Sequence, residues 1–199
     1  MYIHIQLSIT EMEVAHFTDM STLGDCSETT SSEGDVSEHH SLNNQWTMWA
    51  HLPHDTDWSI KSYKEVYEMN TVEDTIALLE SLPEVLVVNC MLFVMKKGIV
   101  PVWEDPHNRK GGCFSYKILN KQVYSIWKEL TYILVGETLS PQKDFVKTIT
   151  GITISPKKSF CIVKIWTSTC DYQDPSLVTD QIKGLTSLGC LFKKHMPEY

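Results

Sequence analysis

Trp103 and Glu104 stand side by side in the run Val100-Pro101-Val102-Trp103-Glu104-Asp105-Pro106. An ionised carboxylate accepts two parallel N–H bonds, and an indole offers a flat face for stacking. Together they match guanine, whose N1 and N2 donors lie along one edge of a stackable ring system. A second tryptophan, Trp58 in Asp55-Thr56-Asp57-Trp58-Ser59, could cover the opposite face of the same base. Two indoles favour a positively charged base, because a cation desolvated between aromatic faces gains about 2 kcal/mol or more. Guanine methylated at N7 carries such a charge. Taken singly, either tryptophan is more often core than ligand platform, so the weight falls on their surroundings.

Those surroundings recur in a fixed order. Asn43-Asn44-Gln45-Trp46-Thr47-Met48-Trp49 precedes Trp58, and Thr71-Val72-Glu73-Asp74 follows it. Gly98-Ile99-Val100-Pro101-Val102-Trp103-Glu104-Asp105 leads to Asn108-Arg109-Lys110-Gly111-Gly112, then Trp127-Lys128-Glu129-Leu130 and Val135-Gly136-Glu137. Ile165-Trp166-Thr167-Ser168-Thr169-Cys170 closes the series. Order and spacing resemble the eukaryotic translation initiation factor 4E family, which binds the 7-methylguanosine cap of messenger RNA. The resemblance runs from about Leu42 to Leu188.

It implies a role for each residue. Trp58 and Trp103 form the sandwich, Glu104 reads the guanine edge, and Trp166 lies near the N7-methyl group. The cap phosphates fall to Lys157, to Lys158 after a one-residue shift, and to Lys164, which stands two residues before Trp166 and so on the same strand face. Capped mRNA is then the ligand, with no cofactor and no metal. A second surface, formed by His40, Leu42, Val72, Glu129, Val135 and Gly136, docks a Tyr-x4-Leu-hydrophobic peptide from the initiation scaffold protein or a repressor. Here the chain departs from the family, with Ile76 in place of a tryptophan and Lys128 and Tyr132 in place of leucines, so altered partner specificity is expected. Cys113-Phe114 replaces the usual Arg-Trp, and the chain ends early for the family at Tyr199, so weaker contacts beyond the first nucleotide are expected. A cytoplasmic monomer, with the nucleus as a second location, completes what the resemblance implies.

The elements that must hold these residues are legible in outline. Strand character marks Gln45 to Leu52, Met91 to Met95, Cys113 to Ile118, Thr153 to Ser155 and Cys161 to Thr167. Thr71 with Asp74 predicts a capped helix bearing Val72, Ile76 and Leu79 on one stripe and stopped at Pro83. Val123, Ile126, Trp127, Leu130, Ile133 and Leu134 predict a second helix ended by Gly136. Ser140-Pro141 opens a third that closes near Gly151, and Asp174-Pro175 a fourth running through Leu177, Ile182, Leu185 and Leu188 to Gly189. The mixture predicts an α+β fold with an antiparallel sheet covered on one face. The resemblance implies a curved sheet, about three main helices on its convex face, and the ligand on the concave one.

Composition narrows the classes further. At 199 residues and 42% hydrophobic, the chain can bury one substantial core. Its first 60 residues hold ten acidic side chains and no lysine or arginine, so the net −8 belongs to the N-terminus. Residues 1–40 read as an acidic, largely disordered tail, with an alternating Ile3, Ile5, Leu7, Ile9 stretch that could add a strand, and 41–199 as the cap-binding domain. A near-neutral body lacks the clustered basic charge of broad nucleic-acid binding. No apolar run reaches 18 residues, so no membrane span is expected. The six scattered cysteines suit reduced thiols inside the cell. The histidine pairs His39/His40 and His51/His54 lack further ligands and read as surface or cap residues.

An enzyme is the alternative from another class, for example a hydrolase of capped RNA, with Glu104 and Asp105 as a metal-binding pair. The chain has neither a Gly-x-Ser-x-Gly elbow nor a Gly-x4-Gly-Lys-Ser/Thr phosphate loop, and Gly111-Gly112 reads as a hairpin turn. A non-catalytic interaction module that has lost cap binding, and a cap-binding repressor with altered scaffold binding, are the others.

Overall fold

The computed structural model describes residues 39–53 and 55–195. Residues 1–38 of the expected 1–40 tail, its strand near residues 2–9 and His54 lie outside them. Seven antiparallel strands form one sheet: β1 (Ser41–His51), β2 (Tyr63–Thr71), β3 (Met91–Lys96), β4 (Gly112–Leu119), β5 (Ile149–Pro156), β6 (Phe160–Thr167) and β7 (Leu191–Lys194). Their order across the sheet is β2-β1-β3-β5-β6-β4-β7. Four helices accompany them: α1 (Val72–Ser81), α2 (Glu84–Asn89), α3 (Val123–Val135) and α4 (Lys143–Thr148).

Strand pairing sorts side chains onto two faces, because successive residues point to opposite sides. One registered row runs Met48, Val94, Ile152, Ile165, Phe114, Phe192. Its first five members are buried, as are Trp127, Leu130 and Leu134 of α3. The next row, Trp49, Phe93, Thr153, Lys164, Ser115, Leu191, points to the other face. There Phe93, Met95, Ile99 and Trp166 form a smaller cluster with Trp49, Tyr63 and Met91 against it. This curved α+β sheet is the expected architecture, and its aromatic face supports the site.

Local chemistry fixes the helix ends. The Thr71 hydroxyl accepts from the Asp74 N–H at 3.1 Å while the Asp74 carboxylate accepts from the Thr71 N–H at 2.9 Å, a complete capping box. Gly136 caps α3 as expected, yet the left-handed residue of that turn is Glu137, at φ 53°.

Three expectations need correction. No helix spans 174–188: a single 3-10 turn, Pro175–Leu177, is followed by irregular backbone. The Thr179 N–H donates to the Leu139 carbonyl, and Gly184 adopts φ 99°, so the segment follows the domain surface and buries Val178, Ile182 and Leu185 without helical turns. Leu188 is left exposed. The helix expected from Ser140 to Gly151 is confined to α4, and Gly151 lies within β5, where the Met95 side chain and the Val94 carbonyl leave no room for a Cβ. Gly111-Gly112 is not a hairpin turn. Gly112 starts β4, and Gly111 packs against the Thr167 backbone where a side chain would clash.

Candidate functional site

Two loops carry the residues of interest over the aromatic face. The segment 97–111 joins β3 to β4 and is seated by Ile99, a member of the cluster beneath it. Within it Asn108 is fully buried and donates from its amide to the Val100 carbonyl at 3.1 Å and the Val102 carbonyl at 2.9 Å. Asp105 is buried too, accepting from the Val100 N–H at 3.0 Å, the His107 N–H at 2.8 Å and the His107 ring at 3.0 Å. Burial alone would raise its pKa, but these donors outweigh it and hold the carboxyl below its ordinary value. Asp105 is therefore committed to the loop, which removes it from any metal-binding pair with Glu104. Among the described residues no group of three or more His, Cys, Asp or Glu is placed to hold a metal ion.

The consequence is outward presentation of the two residues between these anchors. Trp103 is 42% exposed, and Glu104 is exposed beside it. Tyr63 lies within reach of Glu104: burial, and then the Glu104 charge, raise the Tyr63 phenol above its ordinary value.

Trp58 sits in a tightly hydrogen-bonded turn. Asp57 N–H donates to the Asp55 carboxylate at 2.9 Å, and Ser59 donates to Asp57 through its N–H at 2.8 Å and its hydroxyl at 2.9 Å. The indole is 58% exposed. The ring stacked on it is His51, with centroids 4.3 Å apart and planes 5° from parallel. The histidine's Nε2 lies 3.0 Å from the Asp57 carbonyl, and Tyr63 meets it edge-on at 5.2 Å. His51 is thus a buried platform for Trp58 and not a surface residue; its place beneath a tryptophan had no sequence signal. His40 is exposed, as expected, and ties to Glu73 through its backbone N–H at 3.0 Å and ring at 2.8 Å. That bond, above all from the side chain, depresses the Glu73 pKa to about 2.

Trp166 is nearly buried on β6, its Nε1–H donating to the Thr153 hydroxyl at 2.8 Å. His195, just beyond β7, packs on the indole at 4.6 Å. Burial, with Lys164 nearby, pushes its pKa down to about 4. Lys164 shares the strand face of Trp166 and pairs across with Thr153 and Ser115. Lys157 and Lys158 stand exposed on the β5–β6 hairpin, which Lys157 N–H closes by donating to the Phe160 carbonyl. At about 3.3 Å per residue, the hairpin lies roughly 20 Å along β6 from Trp166, while Lys164 is about 7 Å away. Contacts thus run from Trp58 through His51 to Tyr63, which neighbours Glu104 and packs on the cluster containing Trp166, whose strand face Lys164 shares; the hairpin lysines lie farther along β6.

The candidate partner residues gather on α1, α3 and the start of β1. Val72 and Ile76 are exposed, at 40% and 46%. The Val72 N–H donates to the His40 carbonyl. Leu42 is half-buried, Glu129 and Gly136 are exposed, and Val135 is buried. Lys128 and Tyr132 both reach Glu80 across the helix pair, at 2.7 Å and 3.4 Å.

Residues 41–196 match the family model described as eukaryotic initiation factor 4E. The chain belongs to that family. Relatives include the eukaryotic translation initiation factor 4E of Candida glabrata, 26% identical over 75% of this chain and 73% of that one. Factor 4E-2 of Schizosaccharomyces pombe is 30% identical over 68% of this chain and 56% of its own. The chain therefore spans between about half and three quarters of the length of these family members. In three dimensions it is similar to C. elegans eIF4E-3 solved with the 4E-binding protein Mextli and a cap analog, at TM-score 0.59 and 26% identity, covering 66% of this chain and 76% of that one.

Proposed function

We propose that this protein binds the 7-methylguanosine 5′ cap of mRNA and acts in translation initiation, as a binding protein and not an enzyme. The observation that carries the reading is the 97–111 loop, whose buried Asp105 and Asn108 hold it so that Trp103 and Glu104 face outward together. In this reading Trp58 and Trp103 enclose the base and Glu104 accepts from guanine N1 and N2. Adenine lacks that donor pair, and a bidentate contact discriminates by about 1–3 kcal/mol. Trp166 borders the N7-methyl group, and Lys164, Lys157 and Lys158 take the phosphates. The setting is cytoplasmic, the nucleus second, and the protein monomeric.

The α1–α3 face, with His40, Leu42, Val72, Ile76, Lys128, Glu129, Tyr132, Val135 and Gly136, serves as the partner surface. A second reading, a repressor that occupies caps without recruiting the usual scaffold, draws on the Glu80–Lys128–Tyr132 contacts that cross this face.

Titration of tryptophan fluorescence with 7-methylguanosine triphosphate and with guanosine triphosphate tests the main reading. A preference of at least tenfold for the methylated ligand, about 1.4 kcal/mol, is expected, and Glu104→Ala should abolish binding without changing the melting temperature. Equal affinity for both ligands would sink cap recognition and leave an interaction module.

A further inference from the structure

The partner face is chemically divided. On α1, Val72, Ile76 and Glu80 are spaced four apart and lie along one stripe. The first two are exposed aliphatics, and the third is a carboxylate. On α3, Tyr124, Lys128 and Tyr132 repeat the same spacing. The Lys128 ammonium lies 2.7 Å from Glu80 Oε1 and 5.6 Å from the Tyr124 ring centroid. Tyr132 directs its hydroxyl to the same carboxylate oxygen at 3.4 Å.

These contacts leave an asymmetry. The Lys128 side chain is 20% exposed and that of Glu80 is 62% exposed, so the cation is turned in and the carboxylate out. Both donors fall on Oε1, and a carboxylate offers about four acceptor positions. Exposed Glu129 stands beside Lys128, and Glu73, at the Val72 end, already holds His40. The stripe therefore passes from exposed aliphatics at Val72 and Ile76 to an outward-turned carboxylate at Glu80, whose lysine lies beneath it.

We propose that this face docks a helical segment of a protein partner that lays an aliphatic side chain on Val72 and Ile76 and an arginine on Glu80, three or four residues apart in the partner. The inference rests on the partner-surface reading above and narrows the chemistry of what binds there. A leucine placed over Glu80 and Lys128 would strip water from an ion pair and return no hydrogen bond. A guanidinium returns two, in the fork geometry that suits a carboxylate. An acidic partner would meet the exposed carboxylates of Glu80 and Glu129, while Lys128 is turned in beneath Glu80. At 1.5 Å per residue, Ile76 and Glu80 are about 6 Å apart along α1, one helical turn, which sets the spacing required of the partner.

The test uses full-length protein and two fluorescent helical peptides: a Tyr-x4-Leu-Leu peptide with a further leucine four residues after its first, and the same sequence with arginine for that added leucine. Anisotropy titrations should favour the arginine peptide at least tenfold. Glu80→Gln should erase that preference, and the triple change Glu80→Leu, Lys128→Leu, Tyr132→Leu should reverse it. Titration with 7-methylguanosine triphosphate in parallel reports on the other face and verifies that each variant is folded. Tighter or equal binding of the leucine peptide by the unmodified protein overturns the proposal while the partner-surface reading stands. Binding of neither peptide overturns both, and a dimer in sedimentation that Ile76→Glu abolishes would assign the face to a second copy of the chain.

Discussion

Asn108 probes the site more sharply than either tryptophan, because its amide is the buried donor to two carbonyls of the loop that presents Trp103. Asn108→Ala leaves both acceptors without that partner, at about 1–3 kcal/mol for each group desolvated. Urea denaturation should register a loss of about 2 kcal/mol or more, with weaker 7-methylguanosine triphosphate binding as Trp103 and Glu104 lose their support. His195 makes a separate case. Its folded pKa of about 4 lies below the ordinary histidine value of 6.5, so the neutral ring favours the folded state. That contribution is complete above pH 6.5 and is lost as pH falls from there toward 4. Melting temperatures at pH 7 and pH 5 should therefore diverge more for the native protein than for His195→Gln, and a ring NMR titration should inflect near 4. The tryptophans and Glu104 were legible because their types name their chemistry. His51, Asp105, Asn108 and His195 were not, since a supporting residue is defined by the neighbours that folding gives it.

At the scale of elements, the capping box at α1 was readable because it is local: Thr71 and Asp74 meet within one turn. Thr71→Ala should destabilise the domain by about 1 kcal/mol, seen as a lower urea midpoint at unchanged slope. What the sequence concealed depends on distant contacts. β2 carries Lys64, Glu65 and Glu68 on a sheet edge, where strands bear charge, and its alternation is correspondingly weak. The 174–188 stretch has helical spacing of apolar residues, yet Gly184 and the bond from Thr179 to Leu139 prevail over that pattern. Gly111-Gly112 resembles a turn in type, but its requirement is close packing. Gly111→Ala would press a methyl against the Thr167 backbone. The β4–β6 pairing beside Trp166 would then have to shift, and faster amide hydrogen exchange at Cys113 and Trp166 is the expected sign.

In the whole molecule one sheet separates two candidate binding faces. The row from Met48 to Phe114 serves the helices, and the neighbouring row from Trp49 to Ser115 serves the aromatic site. A one-residue slip would exchange them, so the register that builds the core also builds the site. The strand character of β1 was visible in the sequence; which of its faces would be covered by helices was not, since that depends on where α3 comes to lie. A ligand that binds only the folded register stabilises the entire domain by mass action, by about 2.7 kcal/mol at a free concentration one hundred times its Kd. For a domain of this size each kcal/mol raises the melting temperature by about 2–4 °C. Saturating 7-methylguanosine triphosphate should therefore raise it by about 5–10 °C, and guanosine triphosphate at equal concentration by much less. The arginine peptide shares no residue with that site, and sites without shared partners contribute additively within about 0.5 kcal/mol. Its shift in melting temperature should thus add to that of the nucleotide. A combined shift well beyond the sum would mean that the sheet transmits strain from one face to the other and that the two sites act as one.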